Sequence, residues 1–533
     1  MLDITIIIPA LSCLDNFKNA SLTKLAGKPL IEHTIDKLLS MVEKKNIYVI
    51  TDNEEIHLIG SRKGVESSLN LDNKILFDIN GLEKLKKNIE INTGYVALIS
   101  AYSVFLEINT LCKAMEEATK LTFIRPMAKL DCDVYLGNGV EANAGNEGVE
   151  VEYYKLLKTF ILCRSDIKDY STLMSKNVIA RNEIDLECKS RHDMWVYEKL
   201  INRKRIVFNV AASKEIGMGH VYRALSLAHE IIDHEVMFVC DDTSYLAIGK
   251  LSEQEYPVYT YPKGKVSDCV KGLVPSLVVN DILDTDSKYI EDLMQSGIKT
   301  INFEDLGDGA VSSNCTINDL YDEALYHSPN TLWGHEYFFV RDEFYSATPH
   351  GEDVSVKSVL LTFGGTDQND FTRKFYHSIR DFCNENKIKI YIVTGEGYGY
   401  LKELESELVG GSSDQVEYIH KTGIMSSIME KVQLAISSNG RTIYELAHMN
   451  IPTIVISHHD RENNHKFSCF EHGFINLGTY VNGETESQML LEFKKLVIDK
   501  MLRNSLVRKM KKFNFLENKV KINNIINSLI NQL

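Results

Sequence analysis

At 533 residues the chain is longer than one ordinary core, and two or three domains are expected. Its 44% apolar and 25% charged residues are those of a soluble globular protein, and no apolar run approaches the roughly 20 residues that cross a bilayer. A formal net charge of −15 excludes a general nucleic-acid binder, whose phosphate contacts need clustered Lys and Arg, but it leaves nucleotide ligands open.

Near the start, ITIII is a short strand preceded by Asp3 rather than a basic region, so no signal peptide is expected and a cytoplasmic location is. The ten cysteines are scattered without a C-x-x-C pair, which predicts free thiols in a reducing compartment rather than a disulfide frame or a zinc site. β-Branched runs alternate with helical patterns throughout, the signature of α/β domains with largely parallel sheets.

In the first part, ITIIIP, NIYVIT and GYVALIS are predicted strands. KPLIEHTIDKLLSMV is a helix, with Leu30, Ile31, Ile35, Leu38 and Leu39 near one stripe. GNGVEANAGNEGVEVE is a glycine-bearing loop or arm, and HDMWVYEKLINRK is a closing helix with a basic end. A second start follows: RKRIVFNVAAS, EVMFVCD, PSLVVND and KTINFED as strands, then a polar linker around SATPHGEDVSVKS. The pattern restarts with SVLLTFGG, KIYIVTG, QLAISSNG and IPTIVIS, and the final segment from Met501 is helical and amphipathic. Three α/β units result, at 1–200, 204–348 and 357–533, the last two facing each other as halves of a cleft.

The chemistry concentrates in the second and third units. GMGHVYRALSLAHEII places Gly217 and Gly219 between a strand and a helix whose buried face is Val221, Ala224, Leu225, Ala228, Ile231 and Ile232. Glycines there let a ligand approach the backbone, and the helix start offers free N–H donors. His220 falls at that start, where an imidazole can serve as a general base or merely cap the helix. TFGGTDQND puts Gly364, Gly365 and Thr366 after a strand as a second backbone cradle. SSNGRTIYELAHM is a strand, a tight turn at Asn439–Gly440 and a helix opening at Arg441–Thr442, a place for a diphosphate. Glu445, a turn into that helix, is placed to accept hydrogen bonds from both hydroxyls of a ribose. His458, His459, Asp460 and His465 are read as a loop contacting nucleotide or substrate, with no metal expected in this region. Asn280–Asp281 and Glu304–Asp305, at strand ends, either orient the sugar or cap the helices that follow.

Residues 205–533 resemble the UDP-sugar hydrolases of the pseudaminic acid pathway, relatives of nucleotide-sugar glycosyltransferases with the GT-B fold. The resemblance is carried by Gly217, Gly219, His220, Val221 and Arg223, by Phe363, Gly364 and Gly365, and by Gly440, Thr442, Glu445 and Pro452. Glu462 and Asn463 match the acidic–amide pair that follows the last inner strand. The resemblance implies UDP held by the C-terminal half, a UDP-activated diacetamido-trideoxy sugar across the cleft, and His220 helping to activate water at the anomeric carbon. It further implies inversion with C–O cleavage and no cofactor, in biosynthesis of a nonulosonic acid or related surface polysaccharide. The residues themselves do not separate water from a sugar hydroxyl as acceptor. A UDP-sugar glycosyltransferase and a non-catalytic nucleotide-sugar-binding protein remain the alternatives.

Residues 1–200 resemble acylneuraminate cytidylyltransferases, the CMP-sialic acid synthetase-like enzymes with a Rossmann-like nucleotidyltransferase domain. The frame matches in IIIPA, LAGKPLIEHTID and YVITDNEEI. Between the first two, where that family wraps the CTP phosphates with Arg, Gly, Ser and Lys, this chain has Leu11, Ser12, Cys13, Leu14 and Asp15, and later Asn19–Ala20. Lys18 alone remains as a phosphate cation, out of register. Where the family reads cytosine through a Gln-Pro-Thr-Ser-Pro run, this chain has LISAYSVFL. NEIDLECKSRHDMW resembles the metal-binding closing segment, with Glu183 and Asp185 in the ligand positions and Asp193 leading the helix, so Mg²⁺ is expected only if this domain is active. The expectation is a domain that has lost cytidylyl transfer and serves as a scaffold, a homodimer surface or a binder of an altered ligand. The alternative is a bifunctional protein with a working CMP-sugar-acid synthetase domain.

Overall fold

The computed structural model describes residues 1–10, 13–14, 17–18, 20–69, 77–130, 153–180, 191–213, 217–409 and 415–532. The chain divides into two compact units, Met1–Asn202 and Arg203–Leu533. The glycine-bearing segment 137–152 and the candidate metal ligands Glu183 and Asp185 lie outside the described residues.

The first unit is built on an eight-stranded mixed sheet. Its centre is parallel: Ile4–Pro9 pairs with Ile47–Thr51 on one side and Tyr95–Ile99 on the other. Ile4, Ile6, Ile7 and Ile8 are fully buried, as a strand covered on both faces requires. The predicted helix appears as Leu30–Leu39, with Leu30, Ile31, Ile35 and Leu38 inward. Asn53, in the YVITDNEEI match, caps the next helix by accepting from the amides of Glu55 and Ile56. Within the altered loop, Cys13–Leu14 pairs antiparallel with Phe17–Lys18. The segment standing in place of the cytosine reader is packed: Ile99, Ala101, Val104 and Leu106 are buried, and the Ser103 hydroxyl donates to the Thr159 carbonyl.

The second unit has two lobes. The first carries a seven-stranded sheet, every pairing parallel, in the order Val258–Tyr261, Glu235–Asp241, Arg205–Val210, Leu277–Asp281, Lys299–Phe303, Cys315–Asn318 and Thr331–Trp333. The chain first builds outward from Arg205–Val210 and then returns to its other side with Leu277–Asp281. The direction of winding therefore reverses between these two strands, and a crevice opens beyond their carboxyl ends. The second lobe repeats the device in a six-stranded parallel sheet, with the reversal between Ser358–Thr362 and Leu434–Ser438. The two crevices face each other. A Cβ on Gly365 would lie 3.6 Å from the Met218 amide nitrogen, so the loops after the two first strands nearly touch.

Two expectations are corrected by packing. The helix after the GMGH loop, Gly219–Ala228, stops before Ile232, which is 87% exposed rather than part of the buried face. The segment counted with the last unit ends in a helix, Asn518–Asn531, whose Ile522, Ile526 and Ile530 enter the core of the first lobe. Its buried Lys519 is held there by Glu230 and Asp342, so its apolar stripe and its charge both find partners across the cleft. Among the described residues, no helix is long and apolar enough to cross a membrane.

Candidate functional site

His220 occupies the first turn of the helix Gly219–Ala228, 5% exposed. Its Nδ1 lies 2.5 Å from Oδ1 of Asp281, the last residue of the neighbouring strand. Burial would raise the Asp281 carboxyl, but Arg223 and His220 outweigh it and hold the group below its ordinary value. An ionised carboxylate can only accept, so the hydrogen in this contact is on Nδ1 and Nε2 is the ring nitrogen turned away from the carboxylate.

Arg223, one turn along the same helix, lies against the same carboxylate. Its Nε and Nη2 donate to the two Asp281 oxygens at 2.8 and 2.5 Å, and its Nη1 donates to Glu304 at 2.6 Å and to Asp319 at 3.1 Å. The guanidinium also lies 4.7 Å from the Phe303 ring. Arg441, from the second lobe, donates to the same Glu304 and Asp319 at 2.7 and 3.2 Å. Burial opposes charge on Glu304, but Arg223, His220 and Arg441 hold its carboxyl well below the usual range. Asp319, equally enclosed and facing Glu304 and Asp281, is pushed up instead.

Two openings flank this cluster and share Met218, Gly219, Gly364, Gly365, Arg441 and Thr442 as walls. One, of about 1180 Å³, is lined by Gly217, His220, Glu304, Tyr321, Thr366, Gly440 and the loop His458–Glu462. The other, of about 1030 Å³, is lined by Arg341, Thr394, Lys421, Met425 and Glu445. Gly364 adopts φ +79°, a left-handed turn that brings backbone rather than side chain to the shared wall.

The structure thus brings together His220, Gly217, Gly219, Arg223, Gly364, Gly365, Thr366, Gly440, Arg441, Thr442, Glu445 and Glu462 around one divided cleft. Asn439 stands behind the wall: it is 1% exposed, and its Nδ2 donates to the carbonyls of Glu462 and His465. Asn463 is not among the lining residues, and its carbonyl accepts from Lys466. Glu445 Oε1 accepts from Arg341 Nε at 2.8 Å, which engages one of the two oxygens expected to face a ribose.

In the His458–His465 loop, Glu462 Oε2 accepts from the His458 amide at 2.7 Å, while burial pushes the carboxyl up to about 7. Burial lowers His458 to about 4, keeping it neutral. His459 caps the helix Asp460–Asn463, and His465 binds the Asn439 carbonyl. These side chains are turned to separate tasks. Among the described residues, no three or more His, Cys, Asp or Glu side chains are grouped to hold a metal ion.

The strand-end residues go to separate partners, and neither Asn280 nor Asp305 caps the helix that follows. Asp281 and Glu304 belong to the His220 cluster. Asp305 accepts from the Thr285 and Gly307 amides as a turn former, and Asn280 joins Asn209 and Asn302 in a buried ladder. Asp319, Arg341 and Arg461 escaped the sequence reading. Asp319 had a signal, since it follows a parallel strand just as Asp281 and Glu304 close theirs.

Comparison with known proteins agrees with this division. Residues 5–182 match the cytidylyltransferase family, and residues 359–468 match the glycosyltransferase family 28 C-terminal domain. The chain thus joins a first unit that matches the cytidylyltransferase family to a two-lobed unit whose second lobe matches the glycosyltransferase family 28 C-terminal domain. An uncharacterised protein of Methanocaldococcus jannaschii is 25% identical over 276 residues, 47% of this chain and 55% of that protein. The spore coat polysaccharide biosynthesis protein SpsG of Bacillus subtilis is 22% identical over 258 residues, 46% of this chain and 74% of its own length. The chain therefore spans about half of the first of these relatives. MurG of Acinetobacter baumannii, at 12% identity, superposes over 61% of this chain and 99% of its own with a TM-score of 0.45.

Proposed function

We propose that the second unit hydrolyses a UDP-activated amino sugar, with water as acceptor. The observation that carries this reading is the buried His220–Asp281 pair, with the imidazole among the walls of one opening and Glu445 in the other. Asp281 fixes the tautomer, and Nε2 takes the proton from water as its oxygen attacks the anomeric carbon. The carbon–oxygen bond to the diphosphate breaks from the opposite face, so configuration inverts and UDP leaves with the electron pair. The nucleoside would occupy the opening at Glu445, and the sugar the opening at His220. No step calls on a metal or other cofactor. The name of the SpsG relative suits a role in surface polysaccharide biosynthesis.

The family 28 match favours a second reading, transfer to a sugar hydroxyl. Incubation with a UDP-diacetamido-trideoxyhexose, following UDP and free sugar with and without acceptor, separates the two. Release without acceptor supports hydrolysis, and release only with acceptor overturns it.

For the first unit we propose that cytidylyl transfer has been lost and that the domain serves as a scaffold, a homodimer surface or a binder of an altered ligand. The burial of Ile99, Ala101, Ser103, Val104 and Leu106 supports the loss of transfer, because a base reader must leave its edge-binding groups open. The candidate ligands Glu183 and Asp185 would hold Mg²⁺ only in an active domain.

A further inference from the structure

We propose that Arg441 is a positioning residue that ties the two lobes together and holds the His220 cluster in its working arrangement. This deepens the hydrolase reading and rests on it. Its place just after Gly440 suits a phosphate cation, but its side chain is directed elsewhere. From the start of the helix Thr442–His448 it passes over Gly219 of the other lobe, where a Cβ would lie 2.8 Å from Arg441 Cδ. Gly219 is helical, so the missing side chain answers a need for space and not for backbone conformation.

Beyond Gly219 the guanidinium meets Glu304 and Asp319, and one face lies 4.5 Å from the Phe338 ring. Phe338 stacks in turn on Tyr444 at 4.0 Å, so an aromatic pair backs the group. Three carboxylates, Asp281, Glu304 and Asp319, converge on Arg223. Arg441 neutralises part of that charge. Without it, Glu304 and Asp319 compete for Arg223, whose two-oxygen grip on Asp281 is what keeps the carboxylate aligned with His220. One side chain from the nucleotide half thereby completes the catalytic half.

The test uses the full chain with Arg441→Gln, Arg441→Lys, Gly219→Ala and the Arg441→Gln/Gly219→Ala double variant. UDP affinity is measured by calorimetry, UDP release from the UDP-diacetamido-trideoxyhexose by steady-state kinetics, and backbone protection by hydrogen exchange. In Arg441→Gln, kcat is expected to fall about tenfold or more while the UDP Kd stays within about threefold. Amide exchange at the start of the Gly219–Ala228 helix is expected to quicken, and Arg441→Lys to recover part of both losses. Gly219→Ala is expected to cost kcat alone but to add less than about threefold once Arg441 is Gln. A UDP Kd weakened as much as kcat would make Arg441 a phosphate ligand and overturn the proposal. Unchanged exchange in Arg441→Gln, or equal costs of Gly219→Ala in both backgrounds, would overturn it as well. If the unaltered protein releases no UDP without acceptor, the hydrolase reading falls, while the exchange and UDP measurements still decide the role of Arg441.

Discussion

His220 and Asp281 are 61 positions apart in the chain and 2.5 Å apart in space, and the proposed chemistry depends on that contact. Asp281→Asn keeps the shape but offers one acceptor oxygen to three donors, His220 Nδ1 and Arg223 Nε and Nη2, and no charge to balance a protonated imidazole, so kcat should fall about a hundredfold or more, as for loss of a positioned base. It also removes a charge from buried Arg223, and denaturant unfolding should show a loss of about 3–5 kcal/mol. His220→Ala should lose comparable activity with a smaller loss of stability; retained UDP release in that variant would remove His220 from its role. Glu462 offers a separate test. Its carboxyl is raised from 4.5 to about 7, so its contribution to stability is whole below pH 4.5 and is lost as pH rises through about 7. Unfolding midpoints of Glu462→Gln should accordingly vary less across that window than those of the unaltered protein.

At the scale of elements, the two winding reversals decide where a ligand can bind, and the glycine loops after the first strand of each lobe decide how closely it can lie. Behind the site, Phe338, Tyr444 and Phe467 stack face to face at 4.0 and 4.4 Å, joining the connection between the lobes to the Glu445 helix. Phe338→Ala should cost about 3–5 kcal/mol in denaturant unfolding, because the cavity is walled by rigid rings that cannot collapse into it. The strands and helices that carry the site were legible from short-range patterns: RIVFNV, LVVND and SVLLT are buried on both faces, as their unbroken apolar character predicts. The end of the His220 helix was not legible. Ile231 and Ile232 continue its periodicity, and only the turn after Ala228 takes Ile232 into solvent.

Across the whole molecule, the C-terminal helix returns to the first lobe, so the two lobes are held by a packed element as well as by Arg441. Truncation after Leu516 removes Ile522, Ile526 and Ile530, which should expose the first-lobe core they cover and lower the thermal midpoint. Fully burying each such side chain is worth about 1.5–3 kcal/mol. The first unit yields a different prediction. CTP with Mg²⁺, titrated into the full chain already saturated with UDP, should give no micromolar binding; a micromolar Kd would restore a working cytidylyltransferase site.

The sequence by itself determined the α/β class, the two restarts of the strand–helix pattern and the glycine loops and His220 that line the divided cleft. Those properties depend on apolar periodicity, on glycine where a turn is tight and on residues at strand ends, all of which are neighbours along the chain. The tertiary structure alone decided what each charged group does. Glu304 and Asp305 are consecutive, yet one joins Arg223 and Arg441 while the other closes a turn, and Arg441 turns away from the place its position suggested. The physical reason is that a buried charge must find its counter-charge wherever the fold brings one, and here the partners come from several strands and both lobes.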